Sequence, residues 1–311
     1  MAKTQSNQMI RLVAKQPDLH REIGNFLIDR RARGLSAHTI TFYRHELATF
    51  SNYIRSDTLP TTAITAGHIR AYLVDLATHR TPGGIGCAYR ALKAFWNWYE
   101  AELEPADWHN PMAKVHAPKL PSTPLDPVSI ADIQRMIALC PRRTAHGERD
   151  HAVLLCLLDS GCRASEFISL NAGDVNLADG SIMVRCGKGG KPRSVFLGAK
   201  SRVQLARYLR FRPDIRPSDA LWTAHDRGRL TYAGLREIVR RLATKAGIPE
   251  PGLHSFRRAF ALACLRNGVD LVSLQRLMGH TDLTVLRRYL AQNTDDLADA
   301  HRRGGPVDCL L

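Results

Sequence analysis

Six positions along this 311-residue chain carry side chains able to hold an anion or move a proton: Arg163, Lys188, His254, Arg257, His280 and Tyr289, separated by 25, 66, 3, 23 and 9 residues. His254 and Arg257, three apart at the start of an expected helix, project from nearly the same face and can grip one anion together. Arg163 stands in the string Asp159-Ser-Gly-Cys-Arg-Ala-Ser-Glu, a tight turn feeding a helix, with Glu166 one turn along to brace its guanidinium. Lys188 sits in a glycine-rich turn from which a flexible ammonium can reach outward. His280 follows Gly279 at a helix break, and Tyr289 lies in a Leu-Arg-Arg-Tyr-Leu run. Each has a plain alternative when taken singly. The His254/Arg257 pair reads as solvated basic helix surface, Arg-x-x-Glu as an incidental pair, Lys188 as a turn lysine, and Tyr289 as a packing residue.

Those residues need elements to position them. In the first hundred residues Leu19, Ile23, Phe26 and Leu27 recur at helical spacing, and the run stops at Arg33-Gly34. Ser36 can then cap a second helix through Tyr53, with Ile40, Tyr43, Leu47, Phe50 and Ile54 on one face and His38, Thr41, Arg44 and His45 elsewhere on its surface. A third helix is expected from Thr65 to Thr78 and a fourth from Ile85 to Glu102, after the break Thr81-Pro-Gly-Gly. Four short helices make a small bundle. Trp96, Trp98 and Tyr99 read as its core rather than as a base-stacking platform, because the bundle needs large apolar groups to close.

Six of the sixteen prolines (105, 111, 118, 121, 124 and 127) fall within 23 residues, a stretch that resists helix and stays extended. Residues 117–128 are therefore expected to link a helical domain at 1–116 to a second domain at 129–311. There, helices are expected at Ile130–Leu139, Arg149–Leu158 and Ala164–Leu170. The β-rich runs Ser181-Ile-Met-Val-Arg-Cys and Arg193-Ser-Val-Phe-Leu flank Gly187-Lys-Gly-Gly-Lys-Pro as a hairpin. Helices resume at Ala199–Arg210, Tyr232–Ala246, His254–Asn267, Leu271–Met278 and Thr284–Gln292. The fold class is mainly α with a small antiparallel β-sheet.

With 44 Lys and Arg against 29 Asp and Glu, the chain carries a formal charge of +15. Such a surplus points to a polyanion, since each neutralised phosphate releases condensed counterions. Both parts share it: 15 basic against ten acidic residues up to position 120, and 29 against 19 beyond. Ordinary apolar and charged fractions, 44% and 23%, exclude a wholly disordered basic tail. The longest strongly apolar run, Ala152–Leu158, is far short of the roughly 20 residues a membrane span needs. No apolar signal-peptide core opens the chain, so a cytoplasmic protein is expected. Seven cysteines, odd in number and without a C-x-x-C pair, read as reduced thiols, mostly buried.

Taken together and in order, the six residues resemble the catalytic signature of the tyrosine recombinases, or phage integrase family. Gly161-Cys-Arg-Ala-Ser-Glu resembles the family's Gly-Leu-Arg-x-Ser-Glu box, with Cys162 in place of the commoner Leu. Gly187-Lys-Gly-Gly-Lys-Pro-Arg resembles its Gly-Lys-Gly-x-Lys-x-Arg hairpin, Leu253-His-Ser-Phe-Arg-Arg its His-x-x-Arg box, and Leu277-Met-Gly-His-Thr-Asp the turn before the tyrosine. The resemblance covers nearly the whole chain and implies a helical, SAM-like core-binding domain followed by a mixed α/β catalytic domain. With roughly 17 residues before the first helix and 66 between Lys188 and His254, a simple Xer-like or Cre-like layout is expected, without an arm-binding domain or an integron-type insertion.

The resemblance also implies roles. Tyr289 is the nucleophile on a DNA phosphodiester, forming a 3′-phosphotyrosine. Arg163 and Arg257 hold the phosphate, because planar guanidiniums match its oxygens bidentately. Lys188 protonates the leaving 5′ oxygen, His254 takes or shares the proton of Tyr289, and His280 donates a hydrogen bond to the phosphate. The phosphotyrosine conserves the bond energy, so no ATP or other cofactor is called for, and no metal either, since the nearby Cys and acidic residues lack ligand spacing. Arg44, His45, Lys191 and Arg193 are expected to contact DNA. The partner implied is duplex DNA with an inverted-repeat core site, bound by four protomers that exchange strands through a Holliday junction. Leu297, Val307, Leu310 and Leu311 would anchor the C-terminal segment on a neighbour, and accessory or directionality proteins are further partners that the resemblance implies. Two other classes compete: a type IB topoisomerase-like nicking-closing enzyme, and a DNA-binding protein that has lost strand transfer.

Overall fold

A computed structural model describes residues 18–54, 59–103, 108–119, 126–185, 192–226, 228–279 and 301–302. The chain divides into two compact units between Ser122 and Thr123. In the first, α1 (Leu19–Ala32), α2 (Ala37–Tyr53), α3 (Ala66–Leu76) and α4 (Pro82–Leu103) form the expected bundle. Side-chain caps set three of the starts: Asp18 accepts from His20 N–H, Ser36 from Thr39 N–H and Thr65 from His68 N–H. The fourth helix starts three residues earlier than its sequence pattern implies. Thr81 Oγ1 accepts from Gly84 N–H at 3.3 Å, and Pro82 fits the first turn, where its missing N–H costs nothing.

The aromatic residues of α4 close this bundle. Phe95, Trp96, Trp98 and Tyr99 are all buried. Phe26 of α1 meets Tyr43, Phe95 and Trp98 edge-on, with ring centroids 5.1, 5.7 and 5.5 Å apart. Val115, after the short 3₁₀ turn Pro111–Lys114, packs into the same core, while Val128 belongs to the core of the second unit.

The second unit comprises, among the described residues, α5 (Ile130–Ala138), α6 (Ala145–Ser160), α7 (Ala164–Ser169), β1 (Ser181–Val184), β2 (Arg193–Phe196), α8 (Ala199–Leu209), α9 (Tyr232–Ala246), α10 (Leu253–Arg266) and α11 (Leu271–Met278). The strands pair antiparallel, with Ser181 opposite Phe196 and Val184 opposite Arg193. Ile182, Val184 and Val195 point into the core, while Met183 and Phe196 face outward, the period-2 alternation of a one-sided sheet. Helix α6 begins at Ala145 rather than at Arg149 because Thr144 caps it at Gly147 N–H, 3.1 Å away. Its polar first turns are buried by pairing: Glu148 accepts from Gln204, and Asp150 takes Arg149 at 2.7 Å and Arg241. No described helix is long and apolar enough to cross a membrane.

Behind α7, Trp222 is fully buried with its ring stacked on Phe167 at 4.7 Å and on Tyr208 at 5.9 Å. Phe167 is a residue of the short helix that Arg163 caps, so this stack sets the height of the helix against the core. Trp222→Ala is expected to destabilise the second unit by about 3–5 kcal/mol, read as a lowered urea midpoint at unchanged slope; a loss below about 1 kcal/mol would contradict this packing account.

Candidate functional site

Helix α6 ends at Gly161, whose φ of +59° is a left-handed conformation. A Cβ there would stand 2.3 Å from the Phe260 ring, so both conformation and space require glycine. The turn delivers Arg163 to the N-cap of α7, where Glu166 returns a capping contact by accepting from Arg163 N–H at 2.9 Å. It also presents the Gly161 carbonyl to Arg257, which donates Nη1–H to it at 2.7 Å. Arg257 lies one turn into α10 and is 1% exposed. Its Nη2 donates to the Met278 carbonyl.

Arg163 reaches the neighbouring carbonyl, with Nη2 3.4 Å from Gly279 O. Both guanidiniums therefore converge on the C-terminal end of α11, where Gly279 closes the helix at φ +61°. These last carbonyls have no intrahelical partner and carry the negative end of the helix dipole. The next residue in the chain is His280.

Glu166 lies under the site, with only 3% of its side chain exposed. Oε1 accepts from Arg163 Nη1 at 2.8 Å and from Arg193 Nη1 at 3.0 Å; Oε2 accepts from Arg193 Nη2 at 2.7 Å. Burial pushes the Glu166 pKa up, but the hydrogen bonds from Arg193 and from Arg163 more than offset it and hold it down to about 2. His254 sits at the exposed start of α10. Partial desolvation of its ring, then the charges of Arg257, Arg258 and Arg163, lower its pKa from the ordinary 6.5, so it is neutral at pH 7 and able to accept a proton.

A protein-family model described as the phage integrase family matches residues 128–296, over half of the chain. The chain belongs to this family. A second model, the N-terminal SAM-like domain of phage integrases, matches residues 26–83. Tyrosine recombinase XerD of Listeria monocytogenes serovar 1/2a is 28% identical over 298 residues, covering 93% of this chain and 99% of that protein. XerD of Neisseria meningitidis serogroup B is 32% identical over 267 residues, 84% of this chain and 89% of that protein. Among solved structures, XerH site-specific recombinase bound to a palindromic difH substrate in a post-cleavage complex shares the fold at TM-score 0.77 and 19% identity, over 94% of this chain and 98% of that one. A lambda integrase tetramer bound to a Holliday junction shares it at TM-score 0.73 and 15% identity, over 91% and 80%. The mainly helical architecture with one small sheet is thus that of a tyrosine recombinase, a DNA strand-cleaving and rejoining enzyme.

Within this phage integrase family member, the structure brings Arg163, Glu166, Arg257 and His254 together at the ends of α6, α10 and α11. Arg44 and His45 are exposed on α2. Lys188, Lys191, His280, Tyr289, Leu297, Val307, Leu310 and Leu311 lie outside the described residues. Arg193 departs from expectation. Rather than facing a phosphate, its guanidinium is turned inward, bidentate on Glu166 and with Nε donating to the Leu277 carbonyl at 3.1 Å. The reason is charge: a buried carboxylate needs more than the single guanidinium contact that Arg163 supplies. The last arginine of the hairpin box was the available signal, but its partner lies 27 residues away.

Because the folded-state pKa of Glu166 is depressed, its contribution to stability is fully present above the unfolded value of about 4.5 and is lost as pH falls toward about 2. Wild type is expected to exceed Glu166→Gln by about 2–4 kcal/mol at pH 7, with the gap closing between about pH 4.5 and pH 2. Chemical denaturation of both proteins across that range checks it; a gap independent of pH would contradict the ionised pair.

Proposed function

We propose that this recombinase cleaves DNA by attack of the Tyr289 hydroxyl on a phosphodiester held by Arg163 and Arg257. The observation that carries the reading is the convergence of those two guanidiniums on the Met278 and Gly279 carbonyls, directly before His280. In the reaction the P–O bond to Tyr289 forms while the bond to the 5′ oxygen breaks, leaving a 3′-phosphotyrosine and a free 5′ hydroxyl. The phenolic proton passes to neutral His254, and Lys188 gives a proton to the leaving oxygen. Negative charge gathering on the non-bridging oxygens is met by the two arginines and by a hydrogen bond from His280. One phosphoester replaces another, so no ATP is spent.

The solved relatives bound to a palindromic substrate and to a Holliday junction as a tetramer support an inverted-repeat core site and a tetramer on DNA for this chain too. Arg44, His45 and Lys191 are assigned to DNA contacts, and Leu297, Val307, Leu310 and Leu311 to the contact between protomers. The enzyme acts in the cytoplasm, where its DNA lies, with any accessory or directionality protein binding outside this site.

The test is covalent capture. Wild type and Tyr289→Phe are incubated with fragmented DNA of the source genome, quenched with detergent, and the attached DNA sequenced. Capture by wild type alone, converging on a short inverted repeat, is the expected result. Scattered sequences would indicate a topoisomerase-like nicking enzyme, and tight binding without capture a silent DNA-binding protein. The acid limb of the capture rate is expected below pH 6.5, because the depressed pKa keeps His254 unprotonated down to that point, and His254→Gln is expected to abolish that limb.

A further inference from the structure

The two arginines that touch Glu166 divide it unequally. Arg193 uses both terminal nitrogens, at 3.0 and 2.7 Å, and its Nε is taken by the Leu277 carbonyl. Arg163 places one guanidinium nitrogen on the carboxylate, at 2.8 Å, and keeps 24% of its side chain exposed against 11% for Arg193. The Arg193 side chain also lies directly beneath Gly279, where an added Cβ would meet its Cδ at 2.8 Å. One anion is thus shared by two cations, and the more deeply buried cation holds the larger share.

A guanidinium locked in a bidentate pair with a carboxylate is neutralised and has spent its matched donors. Arg163 alone with Glu166 would be free to form such a pair, since the two are three residues apart on one helical turn. Arg193 donates to both carboxylate oxygens and, with the Arg163 backbone N–H that also donates to Oε2 at 2.9 Å, fills the side of the carboxylate that this pair would need.

We propose that Arg193 is a positioning residue for strand cleavage: by claiming both oxygens of Glu166 it restricts that carboxylate to a single contact with the Arg163 guanidinium, keeping the site cationic and the remaining Arg163 donors open to the scissile phosphate. The inference rests on the reading that Arg163 meets that phosphate. Loss of Arg193 lets Glu166 recruit Arg163, and the charge facing the phosphate falls although every catalytic residue is still present.

The experiment is single-turnover cleavage of the DNA site recovered by covalent capture, prepared with an ordinary scissile phosphodiester or with a methylphosphonate, whose uncharged methyl group removes the negative charge that the arginines compensate. Arg193→Ala is expected to slow cleavage of the phosphodiester about 10–100-fold, and the defect is expected to shrink to within about threefold on the methylphosphonate. Arg163→Ala should shrink in the same way. Adding Glu166→Gln to Arg193→Ala should recover part of the phosphodiester rate, because the amide no longer competes for Arg163. Should thermal melts show that Arg193→Ala does not fold, Arg193→Lys serves in its place: it keeps the charge, loses the fork, and its smaller defect must also shrink on the methylphosphonate. An Arg193 defect of equal size on both substrates, beside an Arg163 defect that shrinks, overturns the proposal and leaves the phosphate reading intact. If neither shrinks, the phosphate reading fails and the proposal with it.

Discussion

A carboxylate removed from water remains ionised only where cations and donors replace its hydration, and for Glu166 that replacement comes from two different parts of the second unit. Arg163 approaches from the same helical turn, and Arg193 crosses from strand β2. The contact does more than neutralise a buried charge. It fastens the sheet to the start of α7, and through the Arg193 contact with Leu277 O it fastens both to the end of α11. The turn after Gly161, the small sheet and the residues leading to His280 therefore share one electrostatic anchor.

The contacts of the three arginines differ in kind. Arg193 is held by a full negative charge, which gives short, strong, charge-assisted bonds. Arg257 is held at Gly161 and Met278 by neutral carbonyls, and Arg163 stands between the two cases, with Nη1 on Glu166 and Nη2 on the Gly279 carbonyl at the same helix end. A buried guanidinium cannot be left without acceptors, yet carbonyls at the end of a helix bind it less tightly than a phosphate carrying a formal charge. The Arg163 and Arg257 nitrogens that rest on these carbonyls can be transferred to a phosphate at modest cost. Neutral His254 stands beside them because partial burial of its ring, and then the positive charge of the neighbouring arginines, disfavour its protonation.

Much of this was legible from local pattern. Ser36 and Thr65 mark the starts of α2 and α3 because capping is decided within three residues, and the Arg163–Glu166 brace is an i, i+3 pair visible in the string itself. The aromatic run of α4 read as core because a small bundle has few other large groups to bury. What stayed hidden depends on long-range pairing. The pattern placed the start of α6 at Arg149 and gave no sign that its polar first turns are buried, since Gln204 and Arg241, which satisfy Glu148 and Asp150, lie 56 and 91 residues away. Arg193 looked like a phosphate contact for the same reason, as a cation in a basic stretch gives no sign that its partner is an acid behind it.

The central claim is that Glu166 and Arg193 hold firm while Arg163 and Arg257 exchange backbone carbonyls for phosphate oxygens. The most direct test is the crystal structure of the Tyr289→Phe protein on its intact DNA site. The account predicts the guanidiniums of Arg163 and Arg257 on the non-bridging oxygens of the scissile phosphate, with the Arg193–Glu166 contacts unchanged. A phosphate bound elsewhere, with both arginines still on Gly279 and Met278, or Arg193 released from Glu166 to the DNA, would contradict it.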